Sequence, residues 1–470
     1  MAEPSVPLAP LTGDFIAFDW DDGDDSSDKD PTSSHAAGQP QLFTKGRKRM
    51  ADEMEAQSHS GYSKKQRIAA ESRVTPWAAS VDWDNCRTAA HMLVCFRMHI
   101  CPIFTFARNA CRLNQEVDAF VDYISPTSEE HETRGMIVHW IRKTVIAEFP
   151  DAEVVPFGSF ATKMYLPTGC DYSTHSIDFC DLMPPLHRDI DLVVNSPSIK
   201  TGDIKSILYR LAYILRRSNI TNNIEVLAKT KVPIVKFVTL HGRFPVDISV
   251  NQPNGIRAVD VINRFVKELP AAKPLILIIK SFLNQRSMNE VFTGGLGSYS
   301  IVCMVVSFLQ VSIRALTMTG DTVTSSIRIL QMHPKIRRCA IDPMENLGVL
   351  LVEFFETYGR FFSYDHVGIS LRNGGHYFGK KSRGWSNPSS PGLLTIEDPQ
   401  DPMNDVSGGS YGFMKVRHTL AGAFEVLGAA LCLRGSALLE RRYDPNDERS
   451  ADEMSLLGSI MGVTPEVRGR

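Results

Sequence analysis

The sequence predicts an α+β fold, with a small mixed sheet held inside a larger helical body. Three observations lead there: two amphipathic helical patterns come first, five short β-like runs cluster between residues 153 and 250, and helix-forming sequence dominates afterwards. The chain has 470 residues, enough for two or three domains and a substantial core.

In chain order, residues 1–75 are rich in Asp, Ser, Pro, Gly and Lys with little apolar periodicity, and read as a disordered tail. Residues 1–40 carry nine acidic groups against one lysine, so the net charge of −2 hides a basic remainder. The acidic block Asp19–Asp30 surrounds Trp20 and reads as a solvating tail or a partner-binding patch. Two basic clusters, Lys45–Arg49 and Lys64–Arg67, are similar to a bipartite nuclear localisation signal, so a nuclear location is expected.

After an N-terminal segment at 76–112, Leu113, Val117, Phe120, Val121 and Ile124 recur at helical spacing and stop at Ser125-Pro126. A second helix begins at Ser128-Glu129-Glu130 and ends before Phe149-Pro150. β-like runs follow at Glu153–Phe157, Ile190–Val194, Ile224–Leu227, Ile234–Thr239 and Phe244–Val250. Helical sequence then covers Gly255–Glu268, Pro274–Gln285, Ser298–Ala315, Leu347–Phe362 and Gly412–Leu433, ahead of a polar tail.

Several classes are excluded. No stretch reaches the roughly 20 apolar residues that cross a membrane, so no membrane partner is expected, and the N-terminus lacks the layout of a secretory signal. Nine cysteines without paired spacing suit a reducing compartment. No RRM-like aromatic motif, KH loop or zinc knuckle is evident.

Three features carry chemistry. In Phe157-Gly158-Ser159-Phe160 a strand meets a helix-prone stretch, where free N–H groups and the serine hydroxyl can hold a phosphate. In Asp189-Ile190-Asp191-Leu192-Val193-Val194, alternate positions of a strand project both carboxylates to one face. Two carboxylates this close repel unless a cation lies between them, and magnesium suits that role beside a triphosphate. Asp247 then stands alone in the apolar run Phe244–Val250, where an unpaired charge is costly. A pair of divalent ions shared by Asp189, Asp191 and Asp247 would satisfy all three and could drive phosphoryl transfer. A DxD pair alone is better explained by two exposed aspartates at a strand end. The ordered set of Gly-Ser, DxD and a later lone Asp is far more specific.

These motifs, with Lys229–Val238 (KTKVPIVKFV), Val246–Gly255 (VDISVNQPNG), Pro274–Gln310 and Leu394–Val406 (LTIEDPQDPMNDV), resemble the polymerase-β-like nucleotidyltransferases. Within them the chain is similar to the nuclear noncanonical poly(A) polymerases of the TRAMP RNA-surveillance complex, over roughly residues 113–435. The resemblance implies a catalytic palm at 113–252 and a mainly helical central domain at 253–435 that carries a nucleotide recognition loop at 394–410. It implies adenylyl transfer from ATP to RNA 3′ ends with two Mg2+ (or Mn2+) ions, marking RNA for the nuclear exosome. By the same resemblance Gly158 and Ser159 bind phosphate, Lys280 meets the triphosphate, Ser298 binds phosphate and Tyr299 stacks on the base. Asn404 stands where related uridylyltransferases carry a histidine, which favours adenine. The implied partners are a zinc-knuckle RNA-binding protein and an RNA helicase. Read from the residues alone, Lys280 is a solvated helix lysine, Tyr299 is core filling and Asn404-Asp405 is a turn. Asn251 and Asn254 fit either a ribose contact or a turn.

Two stretches depart from the family pattern, 93–112 and the nineteen residues 170–188. Both read as inserts foreign to the fold, either translated introns or lineage-specific loops. They hold Cys95, Cys101, Cys111, Cys170 and Cys180 at spacings too irregular for a zinc site. The second lies between the phosphate-binding serine and the DxD strand, so a catalytically impaired surveillance scaffold is one alternative reading. Terminal uridylyl transfer is the other.

Overall fold

The computed structural model of the chain describes residues 75, 77, 103–166, 189–230, 232–317, 346–439 and 455–462. The chain divides into Met1–Arg73 and Val74–Arg470, and everything described belongs to the second unit. The acidic block, both basic clusters, residues 93–102 and the stretch 170–188 lie outside the described residues.

Helix α1 spans Ile103–Ile124. It begins ten residues before the expected start at Leu113, so the second half of the 93–112 stretch continues the helix. Helix α2 (Ser128–Glu148) opens on Thr127, whose side chain accepts from the Glu130 amide, with Glu129 and Glu130 in its first turn. The palm then runs β1 (Glu153–Phe157), the single turn α3 (Gly158–Ala161), β2 (Ile190–Asn195), α4 (Ile204–Arg217), β3 (Ile224–Leu227), β4 (Ile234–Val238) and β5 (Pro245–Val250). These strands form one mixed sheet in the order β1-β2-β5-β4-β3, parallel only between β2 and β5. Ile190, Leu192, Val246 and Ile248 pack with Leu208, Leu211 and Leu215 of α4 and Ile141 and Val145 of α2, so both helices cover one face of the sheet.

The central domain follows with α5 (Asn254–Glu268), α6 (Ala272–Asn284), α7 (Ser298–Thr317), α8 (Leu347–Glu356) and α9 (Phe413–Leu439). A π turn at Thr357–Phe361 ends α8 early. This region is less purely helical than expected, because β6 (Val367–Ser370), β7 (His376–Gly379) and β8 (Ile396–Glu397) make a second sheet in the order β7-β6-β8. These strands are two to four residues long, too short to show alternation in sequence.

Of the expected polar tail at 436–470, residues 440–454 and 463–470 lie outside the described residues, and the rest is not simply polar. Helix α9 extends to Leu439, and Leu456, Leu457, Ile460 and Met461 are buried in the central core. Their anchor is Glu116 on α1, fully buried, which accepts from Ser455 Oγ at 2.6 Å and from the amides of Leu456 and Leu457 at 2.8 and 2.9 Å. Trp77 is buried against the same helix, its ring edge-on to Phe120 at 4.6 Å. Leucine at position 116 would leave those two amides without their acceptor, so Glu116→Leu should cost about 2–4 kcal/mol. Urea unfolding of the whole chain checks this, and a loss below about 1 kcal/mol would show the anchor to be dispensable.

Candidate active site

The palm sheet brings the acidic residues together by register. Strands β2 and β5 are parallel neighbours with Asp191 directly opposite Asp247, and β4 places Lys236 opposite Asp247 on the other side. Asp189 is the last residue before β2. Ile190 and Leu192 turn to the helix-covered face, so alternation sends Asp191 to the opposite face. The three carboxylates singled out from sequence therefore converge.

Lys236 lies among them, and sequence reasoning gave it no role. Its ammonium donates to Asp189 Oδ2 at 2.9 Å and to Asp247 Oδ2 at 3.2 Å. Asp247 Oδ1 is buried and accepts no hydrogen bond, although the ammonium lies 3.2 Å from it. Burial pushes the Asp191 carboxyl up to about 7, and the charges of Asp247 and Asp189 add to the shift against Lys236 and Lys280. Asp247 is raised for the same reason, burial first and then Asp189. Burial works against the Lys236 charge, but the hydrogen bonds and charges of Asp189 and Asp247 outweigh it and raise its pKa. A lone lysine in an otherwise apolar strand, like the lone Asp247, was the available signal.

Gly158 is fitted to this acid cluster. It has φ +65°, and a Cβ built on it would lie 2.2 Å from Asp191 Oδ2. Only glycine tolerates both the backbone and the approach. Ser159 follows in the single turn α3, and its carbonyl accepts from the Met164 amide at 3.0 Å. That turn leads to Met164, whose carbonyl accepts from Lys280 Nζ at 2.6 Å. Lys280 is buried on α6, not solvated, and ties the central domain to the palm beside the carboxylates.

The remaining expected residues cluster around the start of α7. Ser298 is exposed at its first position, and the Tyr299 hydroxyl is buried beside Gln400 and Asp398 without a hydrogen bond of ordinary geometry. Burial raises the Tyr299 pKa well above the usual phenol range. Asn404 is exposed and its Nδ2 donates to Asp398 Oδ2 at 3.0 Å. Asp398 thus bonds the expected base reader and lies beside the expected stacking ring, a placement the sequence did not disclose. The loop itself is pinned by Glu397, buried and bonded to Arg383 at 2.7 Å, and by Asp405 Oδ1, which accepts from the amides of Ile396 and Ser407. Asn251 is committed elsewhere: its side chain bonds Ser196 through both main-chain atoms and the Ile199 carbonyl, so it serves a turn.

The donor set suits a hard divalent cation: three carboxylates at neighbouring positions, one with a buried oxygen lacking a hydrogen bond. As they stand, no three Asp, Glu, His or Cys side chains among the described residues are gathered into a ready coordination group. The Lys236 ammonium is what bridges Asp189 and Asp247.

Two outcomes are expected of this geometry. Gly158→Ala forces a strained backbone and displaces the Asp191 carboxylate, lowering stability by roughly 1–3 kcal/mol in thermal or urea unfolding. Asp191 holds its proton to about pH 7 in the folded chain and only to the ordinary 3.8 when unfolded. Between these limits the folded state binds the extra proton, so stability falls as pH rises. In metal-free buffer Asp191→Asn should flatten that decline, and an unchanged pH profile would contradict the assignment.

Comparison with known proteins places the whole arrangement. Residues 113–267 match the family described as "Poly(A) RNA polymerase, mitochondrial-like, central palm domain", and residues 346–404 match "Cid1 family poly A polymerase". Poly(A) RNA polymerase CID14 of Cryptococcus neoformans is 42% identical over 409 residues, covering 86% of this chain and 46% of that protein. The chain spans about half the length of the fungal relatives it matches. A solved structure of the polymerase core of TRAMP, an RNA surveillance complex, is 35% identical with a TM-score of 0.57, covering 75% of this chain and 94% of that one. An inactive relative also matches: non-canonical poly(A) RNA polymerase protein Trf4-2 of Drosophila melanogaster, 33% identical over 67% of this chain and 68% of its own length. With a polymerase-β-like nucleotidyltransferase palm and these relatives, the chain belongs to the non-canonical poly(A) RNA polymerase family.

Proposed function

We propose that this chain is a polynucleotide adenylyltransferase that adds AMP from ATP to RNA 3′ ends. The observation that carries the reading is the register of β2 against β5, which sets Asp191 opposite Asp247 with Asp189 adjacent. Asp189, Asp191 and Asp247 would hold two Mg2+ or Mn2+ ions, which when bound supply acidity at the attacking hydroxyl and charge for the departing pyrophosphate. Gly158 keeps the approach to Asp191 open, and Ser159 and Ser298 offer hydroxyls to the phosphates. Lys280 contributes positive charge behind Asp191. Tyr299 provides the ring for stacking, and Asn404, oriented by Asp398, reads the base edge as adenine.

The likeness to the polymerase core of TRAMP, an RNA surveillance complex, supports a wider role in RNA surveillance, and we infer that this role is nuclear and upstream of the exosome. A zinc-knuckle RNA-binding protein and an RNA helicase would then be the partners, and the nucleus the location. The basic clusters Lys45–Arg49 and Lys64–Arg67 support that location.

Incubating the purified chain with RNA, MgCl2 and each labelled NTP in turn tests the activity. ATP-selective tails are expected, with Asp189→Ala and Asp247→Ala each reducing the rate by about 100-fold or more. Selective use of UTP would make it a uridylyltransferase. No product from any NTP would make it inactive, like the relative Trf4-2.

A further inference from the structure

The geometry points to Lys236 as the resident cation of the acidic site, a positioning residue whose ammonium holds Asp189 and Asp247 until divalent ions take its place. This rests on the two-metal reading above. On β4, Val235 and Phe237 are buried in the palm core, so alternation sends Lys236 to the carboxylate face, opposite Asp247. One ammonium there serves two of the three carboxylates, at 2.9 and 3.2 Å.

Without it, three carboxylates at adjacent sheet positions would repel one another across a partly desolvated site. The carboxylates it engages are two of the three that an ion would need. Mg2+ requires carboxylate oxygens at about 2.0–2.1 Å, and an ammonium cannot occupy the same space. Metal loading and the Lys236 bridge are therefore alternatives.

Release of the lysine is easy. The side chains of Lys236 and Asp189 are 42% and 40% exposed, so the ammonium can exchange carboxylates for water along a flexible stem. An arginine at this position would grip a carboxylate through a planar two-pronged contact and give way less readily. The arrangement thus keeps the carboxylates assembled yet open to ions, and frees a positive charge beside the site once they bind.

Thermal unfolding of the full chain tests this, comparing wild type, Lys236→Met and Lys236→Arg in EDTA and across a MgCl2 titration without nucleotide or RNA. Lys236→Met should melt below wild type in EDTA. It should also reach half-maximal stabilisation at a Mg2+ concentration lower by roughly threefold or more, as expected when a competing unit charge is removed. Lys236→Arg should keep a midpoint at or above that of wild type. Lys236→Gln carries the same expectation as Lys236→Met if the latter fails to fold. A midpoint for the neutral variants equal to or above wild type overturns the inference. A wild-type Tm indifferent to both Mg2+ and Mn2+ also overturns the inference, since no ion then displaces the ammonium in the free chain, while the activity assay above tests the metal reading separately.

Discussion

Like charges do not gather on neighbouring strands unless something pins them, and in this chain the pins are β-sheet hydrogen bonds. Parallel pairing of β2 with β5 fixes Asp191 against Asp247, and antiparallel pairing of β4 with β5 brings Lys236 alongside. The backbone sets the spacing, while the opposite sheet face, packed on α2 and α4, supplies the apolar burial that keeps the strands from slipping. A shift of one residue would send Asp191 into that core. The acid cluster and the palm core are thus two faces of one register.

The same logic extends outward. Gly158 lets the chain pass within van der Waals reach of Asp191, and the turn it opens leads to Met164, which accepts the buried Lys280 ammonium. The start of α7 and the end of the loop that begins at Glu397 are joined in turn by the Ser300 hydroxyl, which donates to the Val406 carbonyl at 3.3 Å. Side chains far apart in sequence are held by a few charged or polar contacts laid over two apolar cores.

Much of this was legible in the residues. The five palm strands lie within a residue of their expected bounds because each is a short run rich in apolar and β-branched residues whose neighbours are turn formers. Asp189, Asp191 and Asp247 stood out because charge in an apolar run demands a partner. The small sheet β7-β6-β8 was not legible, since strands such as Ile396–Glu397 carry no period. Lys236 was overlooked because a single lysine on a strand reads as solvent-facing until pairing shows what lies beside it. Lys280 looked solvated for a similar reason: its partner is a backbone carbonyl more than a hundred residues away. Asp398 required the loop's own hydrogen bonds to be seen.

The buried Glu116 carboxylate has a consequence for the order of synthesis. Its acceptor capacity is met by Ser455, Leu456 and Leu457, whose amides and hydroxyl are some 340 residues further along the chain. During translation α1 leaves the ribosome long before those groups exist. Until they arrive, its acid must stay hydrated and the surface around it unsealed. The palm, closed by residue 250, meets no such delay, so the two halves mature at different moments and the central core is the last to exclude water.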